Sequence, residues 1–297
     1  MCENSLMREV RLAVIVAIGT ICVLAGISMV MRGETEHSAG GLLSVTFLDV
    51  GQGDATLIET PDEIQILIDG GRDMRVLSPL TRELGFFDKT LDVLIATHPD
   101  ADHIGGLIEV LSRYEVGRIV LTENVQDTPV YESFMDAVSK EGSELIYVRA
   151  GHIFTLGGGG VYATTTLTIL SPTHNSRDME SNTSSIVAQL RYGTTDFLLT
   201  ADAPDEIEEY LVAVYGNTLQ SDVLKIGHHG SRTSSSEVFL RTVSPQYAII
   251  SYGADNSYGH PHREVIERIA SLAIPTYNTV DNGSVHVWSD GREVWIE

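Results

Sequence analysis

Six residues, His98-Pro99-Asp100-Ala101-Asp102-His103, put four potential metal ligands on one short stretch directly after an apolar run. Carboxylates and imidazoles packed this densely repel or stay unpaired unless a divalent cation or a set of hydrogen bonds neutralises them. Capping of a helix by Asp100 or Asp102 accounts for one aspartate. It leaves the two histidines and the other carboxylate unexplained, so the residue types point to a metal site. Two more apolar runs end in the same chemistry: Phe197-Leu198-Leu199-Thr200-Ala201 leads into Asp202, and Val223-Leu224-Lys225-Ile226-Gly227 leads into His228-His229-Gly230. Side chains at the ends of neighbouring strands can converge on one rim, where loops carry function. Asp202 has a plain alternative as the cap of the helix that Pro204 opens. If His228 and His229 lie on extended chain, only one of them faces the site.

The elements that must position these residues follow from apolar periodicity. Strands are predicted at 42–50, 55–60 and 64–69 as an antiparallel meander, followed by a helix at 76–84 and a buried strand at 91–97. The hexapeptide is then a strand-to-helix loop, with a helix near 105–113, a strand at 118–121 and a helix near 131–140. Strands near 145–149 and 161–170 flank the glycines of 157–160, which read as a hairpin tip because no Lys-Ser/Thr and no helix follow. A hairpin at 186–192 and 196–200, an acidic helix to about 215, strands at 222–226 and 247–251, and helices near 234–242 and 262–272 come next. Short strands at 276–280, 284–288 and 293–296 end the chain. This α/β pattern predicts two packed sheets with helices outside.

Bulk properties set limits. The 297 residues permit one large domain or two small ones. Only Cys2 and Cys22 occur, so a thiolate site in the globular part is excluded and any metal is held by imidazole and oxygen. Residues 12–31 carry no charge and are long enough for a membrane-spanning helix. Residues 1–11 form a short N-terminal segment, 32–41 a linker and 42–297 the globular domain. A cleaved signal peptide is the rival reading, but its shorter apolar core and small-residue cleavage site are not evident. Arg8 and Arg11 before the span, against Arg32 after it, favour an extracytoplasmic domain. The formal charge of −22 lies almost wholly in residues 42–297, where the only lysines are 89, 140 and 225. Such a surface repels polyanions at long range, which argues against a general DNA-binding module.

With these residues in view, the chain resembles the metallo-beta-lactamase superfamily, and within it the soluble hydrolase domain of ComEC-type DNA-internalisation competence proteins. The resemblance rests on 47–54, 198–203, 228–231 and 258–262, together with the central motif at His98, Asp100, Asp102 and His103. It implies an αββα sandwich of two mixed sheets and one or two divalent ions, zinc or manganese. It also implies a metal set of His98, Asp100, Asp102, His103, Asp202 and His229, with Asp49, Asp54 and Asp69 as structural neighbours. Two departures stand out. Asp100 replaces the usual second histidine, and no histidine lies between His174 and Asp202, where Asn182 or Ser184 takes the corresponding region. One metal position is then expected to be oxygen-rich (His98, Asp100, Asp202) and the other conventional (Asp102, His103, His229, shared Asp202), with His228 a further candidate.

The implied chemistry is metal-assisted hydrolysis. Asp102 is the candidate orienter or proton acceptor, and His260 contacts substrate or acts in acid catalysis unless it merely precedes a helix. Lys225, Arg232 and Arg263 are candidate phosphate clamps. The expected function is a membrane-anchored nuclease or phosphodiesterase of DNA uptake or degradation, working with a separate channel protein. A hydrolase of a lactam, ester or lactone, and a metal-stabilised binding module without turnover, are the alternatives. His37, His152 and His286 carry no motif.

Overall fold

Short runs of aliphatic residues bounded by glycine and aspartate turns give fifteen strands among the described residues, 41–158 and 163–297 of a computed structural model. Eight form one sheet in the order β15 (Val294–Ile296), β14 (Val285–Ser289), β1 (Leu43–Phe47), β2 (Thr56–Glu59), β3 (Gln65–Ile68), β4 (Thr90–Ile95), β5 (Glu115–Leu121), β6 (Glu144–Tyr147). Seven form the other: β13 (Thr276–Asn278), β12 (Tyr247–Ile250), β11 (Val223–Lys225), β10 (Thr195–Leu199), β9 (Val187–Tyr192), β8 (Thr165–Ser171), β7 (Ile153–Thr155). Each sheet joins an antiparallel part, β1-β2-β3 or β7-β8-β9-β10, to a parallel part, β3-β4-β5-β6 or β10-β11-β12-β13. Parallel neighbours need crossovers, and helices supply them.

Three apolar layers hold this arrangement. Phe47, Ile58, Ile66 and Ile95 of the first sheet meet Leu167, Leu190, Phe197 and Ile249 of the second in a fully buried middle layer. Helices α1 (Leu77–Leu84), α2 (Ala101–Leu111) and α3 (Pro129–Glu141) cover the outer face of the first sheet. Helices α4 (Asp205–Tyr215), α5 (Glu237–Val243) and α6 (Arg263–Ser271) cover that of the second. The αββα expectation holds for the described residues. The apolar segment 12–31 lies outside them, and no helix among the described residues is long and apolar enough to cross a membrane.

Several boundaries differ from expectation for local reasons. Helix α2 begins at Ala101, so Asp102 and His103 stand in its first turn instead of on a loop. The strand expected at 161–170 spans 165–171, with residues 159–162 outside the described set. A short partner, β7, pairs with it where no strand was expected. The strand predicted at 276–280 stops at Asn278, whose side chain accepts from the Asp281 amide and starts a helical turn, α7 (Thr279–Asn282).

Candidate metal centre

The C-terminal ends of parallel strands in both sheets open onto one rim, and the candidate residues stand there. β3 runs into Asp69, β4 into His98, β10 into Asp202, and β11 into the 227–230 turn. Backbone hydrogen bonds lace the loops to the start of α2: Asp54 N donates to Asp102 O at 3.2 Å, Gly70 N to His103 O at 2.8 Å, and Gly106 N to Gly71 O at 2.9 Å.

Asp202 lies at the centre. Its Oδ1 is 3.3 Å from His103 Nε2, and its Oδ2 is 3.5 Å from His229 Nε2, 3.7 Å from His228 Nε2 and 4.0 Å from His98 Nε2. It does not cap α4, whose cap position is Pro204. His98 Nε2, His103 Nε2, His229 Nε2 and Asp202 Oδ1 are all buried without a hydrogen-bond partner. Orphaned buried polar atoms cost free energy, so four gathered around the Asp202 carboxylate fit one or two cations. Ligand atoms of His98, His103 and Asp202 lie within 4.8 Å of one another, as do those of Asp102, His103 and His229. This donor set of imidazole and carboxylate, without thiolate, suits zinc or manganese in kind.

Each buried imidazole has an orienting partner on its other nitrogen, as metal-ligating histidines require. His103 Nδ1 is 2.8 Å from Asp69 Oδ2, and Asp69 also accepts from Thr97 N and Thr97 Oγ1 at 2.8 and 2.7 Å. His229 Nδ1 lies 3.0 Å from Ser251 O and 3.3 Å from Asp54 Oδ1. His98 Nδ1 lies 3.0 Å from Thr97 Oγ1. Replacing Asp69 by alanine is therefore expected to weaken metal binding by roughly 10–100-fold, the usual effect of an outer partner, as read from chelator competition.

Charge explains the protonation pattern without metal. Burial disfavours the His229 imidazolium, but Asp202 and Asp54 outweigh it and hold its pKa at about 10. His103 is likewise pushed up against burial by Asp202 and Asp69, whereas burial and the His103 charge push His98 down. Asp202 and Asp102 stay ionised well below the usual carboxylate range against burial, because His229 and His103 face both. At pH 7 both His103 and His229 thus carry protons that a cation must displace. Calorimetry in buffers of different ionisation enthalpy should find about two protons released per ion, with affinity falling roughly 100-fold per pH unit of acidification.

Other expected residues distribute unevenly. Asp100 is at the rim, its Oδ2 3.8 Å from His98 Nε2 and its Oδ1 accepting from Ser181 Oγ at 2.5 Å. Asn182 and Ser184 sit on a short 3₁₀ turn. Ser184 Oγ donates to Ser181 O at 2.6 Å, while Asn182 Oδ1 is buried without a hydrogen-bond partner. His228 and His229 both face Asp202, because each has left-handed backbone angles (φ 48° and 53°) instead of the extended chain that would send one away. Lys225 does not clamp substrate: it is 2% exposed, and its Nζ lies 2.7 Å from Asp54 Oδ2. With Lys225 and His229 beside it, Asp54 is held down at about 2 although burial opposes this. Arg232 is exposed beside His262, Arg263 pairs with Glu267 at 2.6 Å, and Asp49 accepts from the Gly51 amide as an Asx turn. His260 stacks on Tyr258 with ring centroids 5.6 Å apart and lies 5.4 Å from the His228 ring. Burial and the neighbouring histidines lower its pKa to about 4, so it is neutral at pH 7.

Three contributors escaped the sequence reading. Thr97 and Ser181 anchor Asp69 and Asp100 respectively, and Gln52 bridges Asp102 Oδ2 (3.4 Å) to the Gly253 amide (3.2 Å). Gln52 also lines a cleft of about 430 Å³ with Arg72, Arg75, Tyr252 and Tyr258. Arg72 makes no salt bridge among the described residues, whereas Arg75 pairs with Asp73 at 2.9 Å. Thr97 adjoins the 98–103 motif and Gln52 lies within the 47–54 segment without having been given a role, but nothing local marks Ser181.

Two mixed sheets between helices, with aspartates and histidines gathered at one rim, define the class of metallo-beta-lactamase-like hydrolases. The chain belongs to the metallo-beta-lactamase superfamily, whose family model matches residues 48–254. It is 32% identical over 261 residues to ComE operon protein 3 of Bacillus subtilis, covering 81% of this chain and 32% of that protein. It is 33% identical over 251 residues to Recombination protein 2 of Haemophilus influenzae, covering 82% and 28%, and 31% identical over 243 residues to Competence protein ComA of Neisseria gonorrhoeae, covering 82% and 32%. The chain thus spans about a third of the length of these relatives. Among solved structures, a variant of CmlA beta-hydroxylase shares the fold at TM-score 0.52 and 13% identity, covering 83% of this chain and 53% of that one.

Proposed function

We propose that this chain is a membrane-anchored, metal-dependent phosphodiesterase that cleaves DNA. The reading has the domain outside the cytoplasm, with a separate channel protein moving the strand. The observation that carries it is the cluster of orphaned His98, His103, His229 and Asp202 atoms beside a cleft lined by Arg72, Arg75 and two tyrosines. The names of the competence-protein relatives support DNA as the substrate class. A divalent cation supplies Lewis acidity and lowers the pKa of a coordinated water. One or two such ions would be held, one position by His98, Asp100 and Asp202 and the other by Asp102, His103, His229 and the shared Asp202.

The chain's own groups do the rest. Asp69 and Thr97 fix the His103 ring, while Asp54, kept anionic by buried Lys225, fixes His229 together with Ser251 O. Gln52 holds Asp102 in the direction of the rim, where it can accept a proton. Arg72 offers a guanidinium for bidentate contact with a phosphate, and Tyr258 offers a face for a base. These local groups offset the repulsion a chain of charge −22 exerts on a polyanion.

The test compares labelled single-stranded and duplex DNA with nitrocefin and a lactone, using the manganese- or zinc-loaded 297-residue chain and an Arg72→Ala variant. DNA cleavage without lactam or lactone turnover, and an Arg72→Ala KM raised roughly tenfold as expected for a lost charged hydrogen bond, supports the reading. Turnover of nitrocefin or lactone but not DNA assigns the site to acyl substrates. Metal binding with no turnover leaves a binding module.

A further inference from the structure

Among the described residues, the most exposed large apolar side chains are Phe86 and Phe87, 73% and 90% exposed, at the end of the sandwich opposite the metal centre. Their rings meet edge to face with centroids 5.3 Å apart, and Lys89 Nζ lies 5.7 Å from the Phe86 ring. Their protrusion is fixed from behind. Asp88 accepts from Thr90 N, Thr90 Oγ1 and Gln65 Nε2 at 3.1, 2.8 and 2.9 Å, tying the loop to β3 and β4.

Strand directions locate this tip relative to the point where the chain enters the domain. β3 and β4 are parallel and end at the metal rim, so Phe86 and Phe87, just before Thr90, lie at the far edge. β1 is antiparallel to β2, and β2 to β3, with Ser44 opposite Glu59 and Glu59 opposite Gln65. The N-terminal end of β1 therefore lies at that same edge, about 15 Å from β4 across three strand spacings. Gly41, just before β1, is fixed there by the Tyr192 hydroxyl at 2.6 Å. The uncharged stretch ends at Met31, ten residues before Gly41, a distance of at most ~35 Å of chain.

We propose that Phe86 and Phe87 form a membrane-contact tip that dips into the interfacial layer of the bilayer and turns the metal rim away from it. This rests on the membrane-anchor reading and extends it. Aromatic rings beside a lysine suit the boundary between headgroups and acyl chains. A short tether keeps the tip at high effective concentration near the surface, so weak insertion suffices. Exposed Asp62, Glu63, Asp290 and Glu293 lie along the same edge, which favours zwitterionic over anionic lipid.

The test uses the full chain with Cys2→Ser and Cys22→Ser, carrying either Phe87→Cys or Val238→Cys labelled with an environment-sensitive NBD probe. Val238 is 64% exposed near the start of α5, on the metal-rim side. The chain is reconstituted into phosphatidylcholine liposomes with and without shallow doxyl-lipid quencher. Expected are co-flotation, a two- to threefold emission increase and quenching at position 87, neither change at 238, and a smaller increase at 87 when anionic lipid is added. Co-flotation with an unchanged probe at 87, or equal responses at both positions, overturns the tip while leaving the anchor standing. Failure to co-float overturns the anchor and the tip with it.

Discussion

Replacing Asp202 by alanine should reduce both metal affinity and hydrolysis on the order of 10³-fold, beyond the 10–100-fold typical of an outer partner. Among the described residues, Asp202 is the one carboxylate that lies within 4.0 Å of all four imidazoles (His98, His103, His228 and His229), at 3.3 to 4.0 Å. Without it, the His103 and His229 charges are buried and lose the counterion that they share. Breaking such a pair costs roughly 3–5 kcal/mol. The loss of stability is therefore also visible without metal, and it depends on pH. His229 has a folded pKa of about 10 against an ordinary 6.5, so its ion pairing stabilises the metal-free fold fully below pH 6.5. That contribution disappears as pH rises through 10. Urea midpoints of metal-stripped wild type and Asp202→Ala should differ most at pH 6 and converge near pH 10. Asp202→Asn, which keeps the side-chain shape, should lose metal while its cavity stays filled.

Gly106→Ala should be the most destabilising single methyl addition near the site. A Cβ there would lie 1.9 Å from Gly70 O and 2.7 Å from Asp73 O, both backbone atoms that cannot swing aside. Helix α2 then cannot sit on the 70–73 loop, and the fold loses about 3 kcal/mol or more. The same displacement moves Asp102 and His103, since the Gly70 amide donates to His103 O at 2.8 Å. Expected are a lower denaturation midpoint at unchanged slope and weakened metal binding in the fraction that remains folded. Gly142→Ala, where nothing lies within 4 Å of the added Cβ but φ is +75°, provides the comparison for backbone strain alone.

These two positions also show what the sequence made legible. The pair Gly105-Gly106 in a helical pattern carries a propensity penalty, which signals close backbone approach. The sequence reading placed the two glycines at the opening of the helix but not the contact they permit. Most strands were readable because both sheets are buried on both faces, giving apolar runs with clear ends. The ends were less readable, since caps set them: Asn278 starts a turn by accepting a hydrogen bond, and Ala101 starts α2 although Asp100 makes no side-chain cap bond. In the site, residues clustered in sequence or lying directly after apolar strands were evident. Lys225 was misread because its charge looked solvent-facing until Asp54, 171 positions earlier, was found beside it. Ser181 was invisible because its partner Asp100 is 81 positions away. The two adjacent histidines converge only through left-handed backbone angles, which residue type alone does not disclose for histidine.

The most direct measurement strips the 297-residue chain of metal, titrates manganese or zinc back, and follows bound ion and bis(p-nitrophenyl) phosphate hydrolysis together. Asp102→Ala and His103→Ala serve as parallel samples. The predicted result is stoichiometric uptake of one or two ions, with hydrolysis rising in step with occupancy, and loss of both in His103→Ala. Asp102→Ala should lose hydrolysis more than uptake. Hydrolysis that persists in metal-stripped protein, or metal uptake unchanged by His103→Ala, would contradict a hydrolytic metal centre built on His98, His103, Asp202 and His229.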